Sequence, residues 1–208
     1  MVLERLAAYY PQAGTALKYD NPYQLFVATV LSAQTTDEQV NRITADLFKA
    51  APSVYDLSRM KPSELEQYVK RCGLYRHKSR YLVEAARVIV RDYGGRIPDQ
   101  RDQLIKLPGV GRKTANIIIS SAYGKPAIAV DTHVFRVSKR LGLAGGSTVE
   151  KVEKQLEKVI PIEQWSDTHH RLIALGRNIC QARNPRCADC FLEDLCVYAR
   201  KRGDKKWL

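Results

Sequence analysis

Apolar residues recur at spacings of three and four along nearly the whole chain, the pattern of amphipathic helices. Leu3, Leu6, Ala7 and Tyr10 set the first stripe. Asn21-Pro22, a cap residue followed by proline at the first helical position, opens a helix from Tyr23 to Ala33 that is apolar on nearly every face. Such a helix is expected at the centre of a core. Thr35 and Glu38 make a capping-box pattern for the next helix, whose stripe is Val40, Ile43, Leu47 and Phe48, and Gln34 is left in the joint. Leu65, Tyr68, Val69 and Cys72 form a further stripe that Gly73 closes. Leu82, Ala85, Ala86 and Ile89 continue in a longer helix stopping at Gly94-Gly95.

The second half keeps the same period. Asp102 to Leu107 reads as a short helix stopped by Pro108, and from Arg112 onward Ala115, Ile118, Ile119 and Ala122 return to helical spacing. Pro126 to Val130 is the only stretch that could form a strand, and with no partner run it reads as an extended linker. Asp131 caps a helix carrying Val134, Phe135, Val137 and Leu141. Ser147 and Glu150 box the next, and Asp167 opens another that runs toward Cys180. Without repeats, low-complexity tracts or a strand pair, the fold expected is all-α.

Charge narrows the partner. Lys and Arg number 34 against 22 Asp and Glu, a net charge of +12, so the partner expected is a polyanion, nucleic acid foremost. No single basic amphipathic segment holds that charge, and no apolar run approaches the roughly 20 residues of a spanning helix, so a membrane is not expected as partner. Met1 to Leu6 lacks the apolar core of a signal peptide, and the compartment expected is the reducing cytoplasm, with nucleoid association in a prokaryote. Of five cysteines, Cys72 falls in an apolar stripe and reads as core. Cys180, Cys187, Cys190 and Cys196, crowded at intervals of six, two and five intervening residues, argue for a metal site over disulfides. Four thiolates so placed suit one zinc or one iron–sulfur cube, and spacing alone does not choose.

Between the two short helices of the second half lies Leu107-Pro108-Gly109-Val110-Gly111-Arg112-Lys113-Thr114-Ala115. It lacks the glycine before Lys-Thr that a Walker loop needs, and the third glycine of a dinucleotide fingerprint. Gly109 and Gly111 instead suit a tight helix-hairpin-helix turn whose backbone N–H groups approach a phosphate at a helix start, although a plain corner would use the same glycines. Lys113, in that first turn beside Arg112, meets the positive end of the helix dipole and a like charge. Its amine reads either as a nucleophile or as an ordinary solvated lysine or phosphate clamp. Asp131 reads from the residues as an ordinary N-cap, Gln34 as a joint residue and Leu74 as a core leucine.

The hairpin, Val130-Asp131-Thr132-His133-Val134-Phe135-Arg136-Val137, the four cysteines, Leu31-Ser32-Ala33-Gln34-Thr35-Thr36-Asp37 and Gly73-Leu74-Tyr75 together resemble the endonuclease III family of DNA glycosylases, along nearly the whole chain. The resemblance implies two helical lobes, a six-helix lobe at 15–125 and a second lobe from 1–14 with 126–208, with DNA in a cleft between them. It makes Lys113 the nucleophile and Asp131 the catalytic carboxylate, and it selects a 4Fe-4S cluster on Cys180, Cys187, Cys190 and Cys196. The cluster's expected job is structural: a loop lacking apolar residues folds around it and presents Arg183 and Arg186 to phosphate. Gln34 and Leu74 become a polar plug and an apolar wedge for the hole left by an extruded base. Gly109, Gly111 and Arg112 become phosphate contacts, and His133 either supports Asp131 or meets a phosphate. The function implied is a monomeric, bifunctional glycosylase and abasic-site lyase of base-excision repair. It would act on double-stranded DNA containing oxidised or ring-saturated pyrimidines or abasic sites. The rivals are a monofunctional adenine-mismatch glycosylase, which usually lacks the lysine, and a non-catalytic DNA-binding iron–sulfur module, which would need neither Lys113 nor Asp131.

Overall fold

The computed structural model describes residues 1–203, and every regular element among them is helical. In chain order these are α1 (Val2–Tyr9), α2 (Pro22–Leu31), α3 (Asp37–Ala50), α4 (Val54–Arg59), α5 (Pro62–Val69) and α6 (Tyr75–Tyr93). There follow α7 (Arg101–Leu104), α8 (Arg112–Tyr123), α9 (Thr132–Leu141), α10 (Val149–Val159), α11 (Trp165–Asn178) and α12 (Val197–Gly203). Short 3₁₀ turns at Ile162–Gln164 and Glu193–Leu195 precede α11 and α12. The chain divides into two compact units, Ala16–Lys125 on one side and Met1–Thr15 with Pro126–Leu208 on the other; 204–208 lie outside the described residues.

In the unit Ala16–Lys125, α2 is the hub. Asn21 caps it by accepting the Gln24 N–H at 3.0 Å, Pro22 sits at its start, and Leu25, Phe26 and Leu31 are fully buried. α3, α6 and α8 pack on it, while α4 and α5 pack on α6. Truncating one of these core leucines to alanine removes roughly 2–5 kcal/mol of stability. α4 escapes the periodicity because six residues make no stripe. It is set instead by a capping box in which the Ser53 hydroxyl and the Asp56 carboxylate each accept the other's backbone N–H. Two expected starts and stops move. The cap of α3 is Thr36, accepting from Gln39 N–H, and the box at Thr35 and Glu38 does not form. The helix before Pro108 ends at Leu104, and the chain reaches the hairpin through turns in which Lys106 and Leu107 donate to Gln103 and Leu104.

In the other unit, α1 and α9 pack on α11, and α10 and α12 on α9, around a core that includes Leu6, Val134, Val137, Leu156 and Leu172. The stretch 127–130 is buried and extended without a strand partner, and the buried His169 ring donates from Nδ1 to the Ala129 carbonyl at 2.7 Å. His169 is therefore a structural helix residue. Thr148 caps α10 in place of Ser147, and α11 begins at Trp165, which leaves Asp167 in its first turn paired with Arg171 at 3.0 Å.

Candidate functional site

The hairpin joins α7 to α8. Gly109 takes φ +76°, and a Cβ there would stand 2.9 Å from Cβ of Tyr81 on α6, so only glycine lets the turn close on that helix. Leu107 and Val110 anchor the turn in the core, and Arg101 Nε donates to Asn116 Oδ1 at 2.8 Å across the two helices. Gly111 caps α8 from an extended conformation that any residue adopts, with open space around it and no side chain to satisfy the first N–H groups. Those N–H groups lack intrahelical acceptors and point where an anion is favoured. Lys113 is the second residue of that helix and exposed; Arg112 beside it is half-buried.

Gln34 and Leu74 are brought together in the same unit. Both are exposed and both lie in the left-handed region, at φ 58° and 57°, where non-glycine residues are rare. Between them a Cβ on Gly73 would come to 3.0 Å from the Gln34 carbonyl oxygen. Leu74, 56% exposed, is not the core leucine that its apolar character suggests. Beneath this pair lies a residue the sequence reading passed over. Lys78 is buried, with its amine donating to the Leu31 and Ala33 carbonyls and to the Thr35 hydroxyl. Burial pulls its ammonium below the usual lysine range, opposed by the Cys72 thiol. Burial also raises Cys72, which is a core residue as expected. The signal for Lys78 was available: a lysine stands in line with Leu82, Ala85 and Ile89 on the apolar face of α6.

Asp131 belongs to the other unit. Its Oδ1 accepts the Val134 N–H at 2.8 Å, which caps α9 and fixes the carboxylate while Oδ2 stays available. His133, two residues on, accepts at Nδ1 from Arg136 Nη2 at 3.2 Å, an arrangement that places the ring proton on Nε2. Arg136 also donates to the Gly176 and Cys180 carbonyls, at 2.9 and 3.0 Å, and so ties the helix start carrying Asp131 to the first cysteine.

The four cysteines line one pocket together with Leu141, Leu175, Ile179 and Tyr198. Three are half-buried and Cys196 is buried, and none forms a disulfide. Burial raises the Cys190 thiol, and the neighbouring Cys196, Cys180 and Cys187 raise it further, as thiols sharing one small space must. Four thiols lining one pocket form a donor set that suits one zinc ion or one iron–sulfur cube. Arginines clamp the loop. Arg140 donates to Cys180 Sγ at 3.4 Å and to the Gln181 and Ala182 carbonyls, and Arg5 of α1 grips Asp194 with both guanidinium nitrogens at 2.6 and 3.0 Å. The expectation of a loop without apolar residues fails after Cys190, where Leu192 is fully buried and Phe191 stacks on Tyr9 at 4.0 Å. Arg183 and Arg186 are exposed, and Arg186 donates to the Asn178 carbonyl at the end of α11.

A helix-hairpin-helix turn, a cluster-type cysteine loop and an all-helical frame define a class of DNA repair protein, and comparison with known proteins agrees. Residues 27–162 match the family model of the HhH-GPD superfamily base excision DNA repair protein, and 180–196 match the iron-sulfur binding domain of endonuclease III. The endonuclease III of Bacillus subtilis is 50% identical over 207 residues, covering 99% of this chain and 94% of that protein. Two solved structures, a non-covalent endonuclease III–DNA complex and a trapped endonuclease III–DNA covalent intermediate, each superpose with a TM-score of 0.91. They are 47% and 48% identical and cover 98% and 97% of this chain and 95% of theirs. The chain belongs to the endonuclease III family of the HhH-GPD superfamily. Its partner is DNA, its cofactor a 4Fe-4S cluster, and its activity that of a DNA glycosylase and abasic-site lyase of base-excision repair. No helix among the described residues is long and apolar enough to cross a membrane.

Proposed function

We propose that Lys113 and Asp131 carry the reaction of this glycosylase and lyase, on oxidised or ring-saturated pyrimidines and on abasic sites in duplex DNA. The observation that carries the reading is the position of Lys113. It is an exposed amine, one residue into a helix whose uncapped N–H groups would hold the adjacent phosphate. The Lys113 amine attacks C1′ as the bond from C1′ to the base breaks, and the base departs with the bonding pair and takes a proton from solvent. Asp131, held by its cap bond, takes the proton lost by lysine or stabilises cationic character at the sugar. Opening of the sugar gives the imine. Loss of a C2′ proton then expels the 3′ phosphate, cutting the strand 3′ to the lesion. A trapped covalent intermediate in a relative supports this order.

In this reading Gly109, Gly111, Arg112, Arg183 and Arg186 hold phosphates, and the Nε2–H of His133 donates to another. Gln34 and Leu74 enter the duplex as plug and wedge. Cys180, Cys187, Cys190 and Cys196 hold the cluster, which supplies folding free energy to the loop. The protein works as a monomer in the cytoplasm, at the nucleoid of a prokaryote.

Borohydride reduction tests the nucleophile. Wild-type protein mixed with lesion-bearing duplex should give a permanent protein–DNA adduct, and Lys113→Gln should lose adduct and nicking while still binding the duplex. Wild-type adduct yield from Lys113→Gln would assign the chemistry to another amine.

A further inference from the structure

The buried ammonium of Lys78 has no place in the chemistry at C1′, yet it touches both left-handed turns at once. Its own backbone N–H makes the first helical bond of α6, to the Leu74 carbonyl at 3.0 Å. Its side chain runs back under the chain to the Leu31 carbonyl at 2.8 Å, to the Ala33 carbonyl and to Thr35 Oγ1 at 3.3 Å, so it brackets Gln34 on both sides. Thr35 Oγ1 also accepts the Gly73 N–H at 3.3 Å, closing a loop of hydrogen bonds from one turn to the other. No carboxylate pairs with Lys78 in any of these contacts. Desolvating a charge without a counter-ion is costly, and what offsets the cost here is geometry: three oxygens converge on one point, and an ammonium is the only side-chain group with three donors on a single atom. A neutral amide brings two donors to the three oxygens, and a methionine brings none and leaves the Leu31 and Ala33 carbonyls without this partner.

We propose that Lys78 is a positioning residue for base extrusion, holding the turn at Gln34 in register with the turn at Leu74 so that the two side chains meet the duplex as one rigid device. The inference rests on the plug-and-wedge reading of those two residues. It assigns Lys78 no contact with DNA. Loss of the three bonds frees two turns that are already strained, and they relax toward ordinary backbone angles that aim both side chains elsewhere.

The test separates extrusion from everything else. Single-turnover excision is measured on a fully paired duplex carrying a ring-saturated pyrimidine, and strand cleavage on the same duplex with a preformed abasic site, where no base has to be pushed out. Lys78→Met should slow the first by about tenfold or more and the second by less than about threefold. With 2-aminopurine beside the lesion, the rise in fluorescence on mixing should be slowed as much as excision is. In a Gln34→Ala/Leu74→Ala protein, adding Lys78→Met should change excision by less than about twofold, because nothing is left to position. Should Lys78→Met fail to fold, Lys78→Gln and Thr35→Val loosen the same network and are read in the same way. Equal slowing of both reactions, or full slowing in the double-alanine background, would overturn the inference. A slow double-alanine protein beside a wild-type-like Lys78→Met would remove Lys78 alone. A double-alanine protein as fast as wild type would remove the plug and wedge, and this inference with them.

Discussion

At Gly109 and at Leu74 the backbone takes nearly the same left-handed turn, φ +76° and +57°, for opposite reasons. In the proposed reading the hairpin brings backbone N–H groups near a phosphate, and its chain is pressed against Tyr81, so a side chain would only be in the way. At Leu74, and likewise at Gln34, the side chain stands exposed, and the chain keeps it in a conformation costing about 1 kcal/mol for an L-residue. In that reading glycine marks where the backbone does the binding. In the same reading strained non-glycine residues mark where a side chain is presented, and the two turns are joined by hydrogen bonds that the Lys78 ammonium donates to the Leu31 carbonyl and the Thr35 hydroxyl and that the Gly73 N–H donates to that hydroxyl.

The comparison breaks most sharply at Gly109. Gly109→Ala needs both a positive φ and room where the Tyr81 Cβ stands, and the two together should cost about 3 kcal/mol in a denaturant titration. Affinity for undamaged duplex should fall with it by about tenfold, since a displaced hairpin loses phosphate contacts. A Gly109→Ala protein as stable as wild type would mean that the hairpin tolerates a side chain and that the contrast with Leu74 is empty.

Leu74→Ala is the next largest change. Alanine pays the same backbone strain but fills no gap in the duplex, so excision of a paired lesion should slow by about tenfold. The salt dependence of binding should keep its slope, because no charge is removed. By contrast, Arg186→Ala should lower the log–log slope by about one. A shallower slope for Leu74→Ala would show that the turn positions a phosphate contact and is not only a wedge.

The two turns also differ in how well they can be read from residues alone. Gly109 is legible because glycine between two helical stripes announces a positive φ. The left-handed Leu74 and Gln34 are invisible, since neither residue type signals that conformation. The cap at Thr36 in place of the expected Thr35 has a related cause: Thr36 also has a glutamine three residues on, and what excludes Thr35 is that its hydroxyl is engaged by Gly73 and Lys78, far along the chain. Local chemistry fared better. Asp131 as a cap and the long amphipathic helices follow from neighbours within one turn, whereas the arginine clamps on the cysteine loop join positions as distant as Arg5 and Asp194. No spacing rule reaches across such a separation.

The smallest expected effect sharpens the comparison furthest, because it asks for stability to change between two variants whose activity stays the same. Leu74→Gly removes the same wedge as Leu74→Ala and should slow excision to the same degree. It also relieves the positive φ, and little is lost in exchange, since the leucine side chain is more than half exposed and contributes little burial. Against the gain stands the greater freedom of glycine in the unfolded chain, which takes back part of it. The balance should leave Leu74→Gly more stable than Leu74→Ala by roughly 0.5–1 kcal/mol, readable as a higher urea midpoint at unchanged slope. Gln34→Gly against Gln34→Ala should repeat the sign with a smaller gap, because Gln34 lies in a connecting turn while Leu74 begins a nineteen-residue helix whose first bond depends on its carbonyl. If both glycine variants prove less stable than their alanine counterparts, the left-handed turns are not strained, and the backbone gives no ground for treating Gln34 and Leu74 as presented side chains.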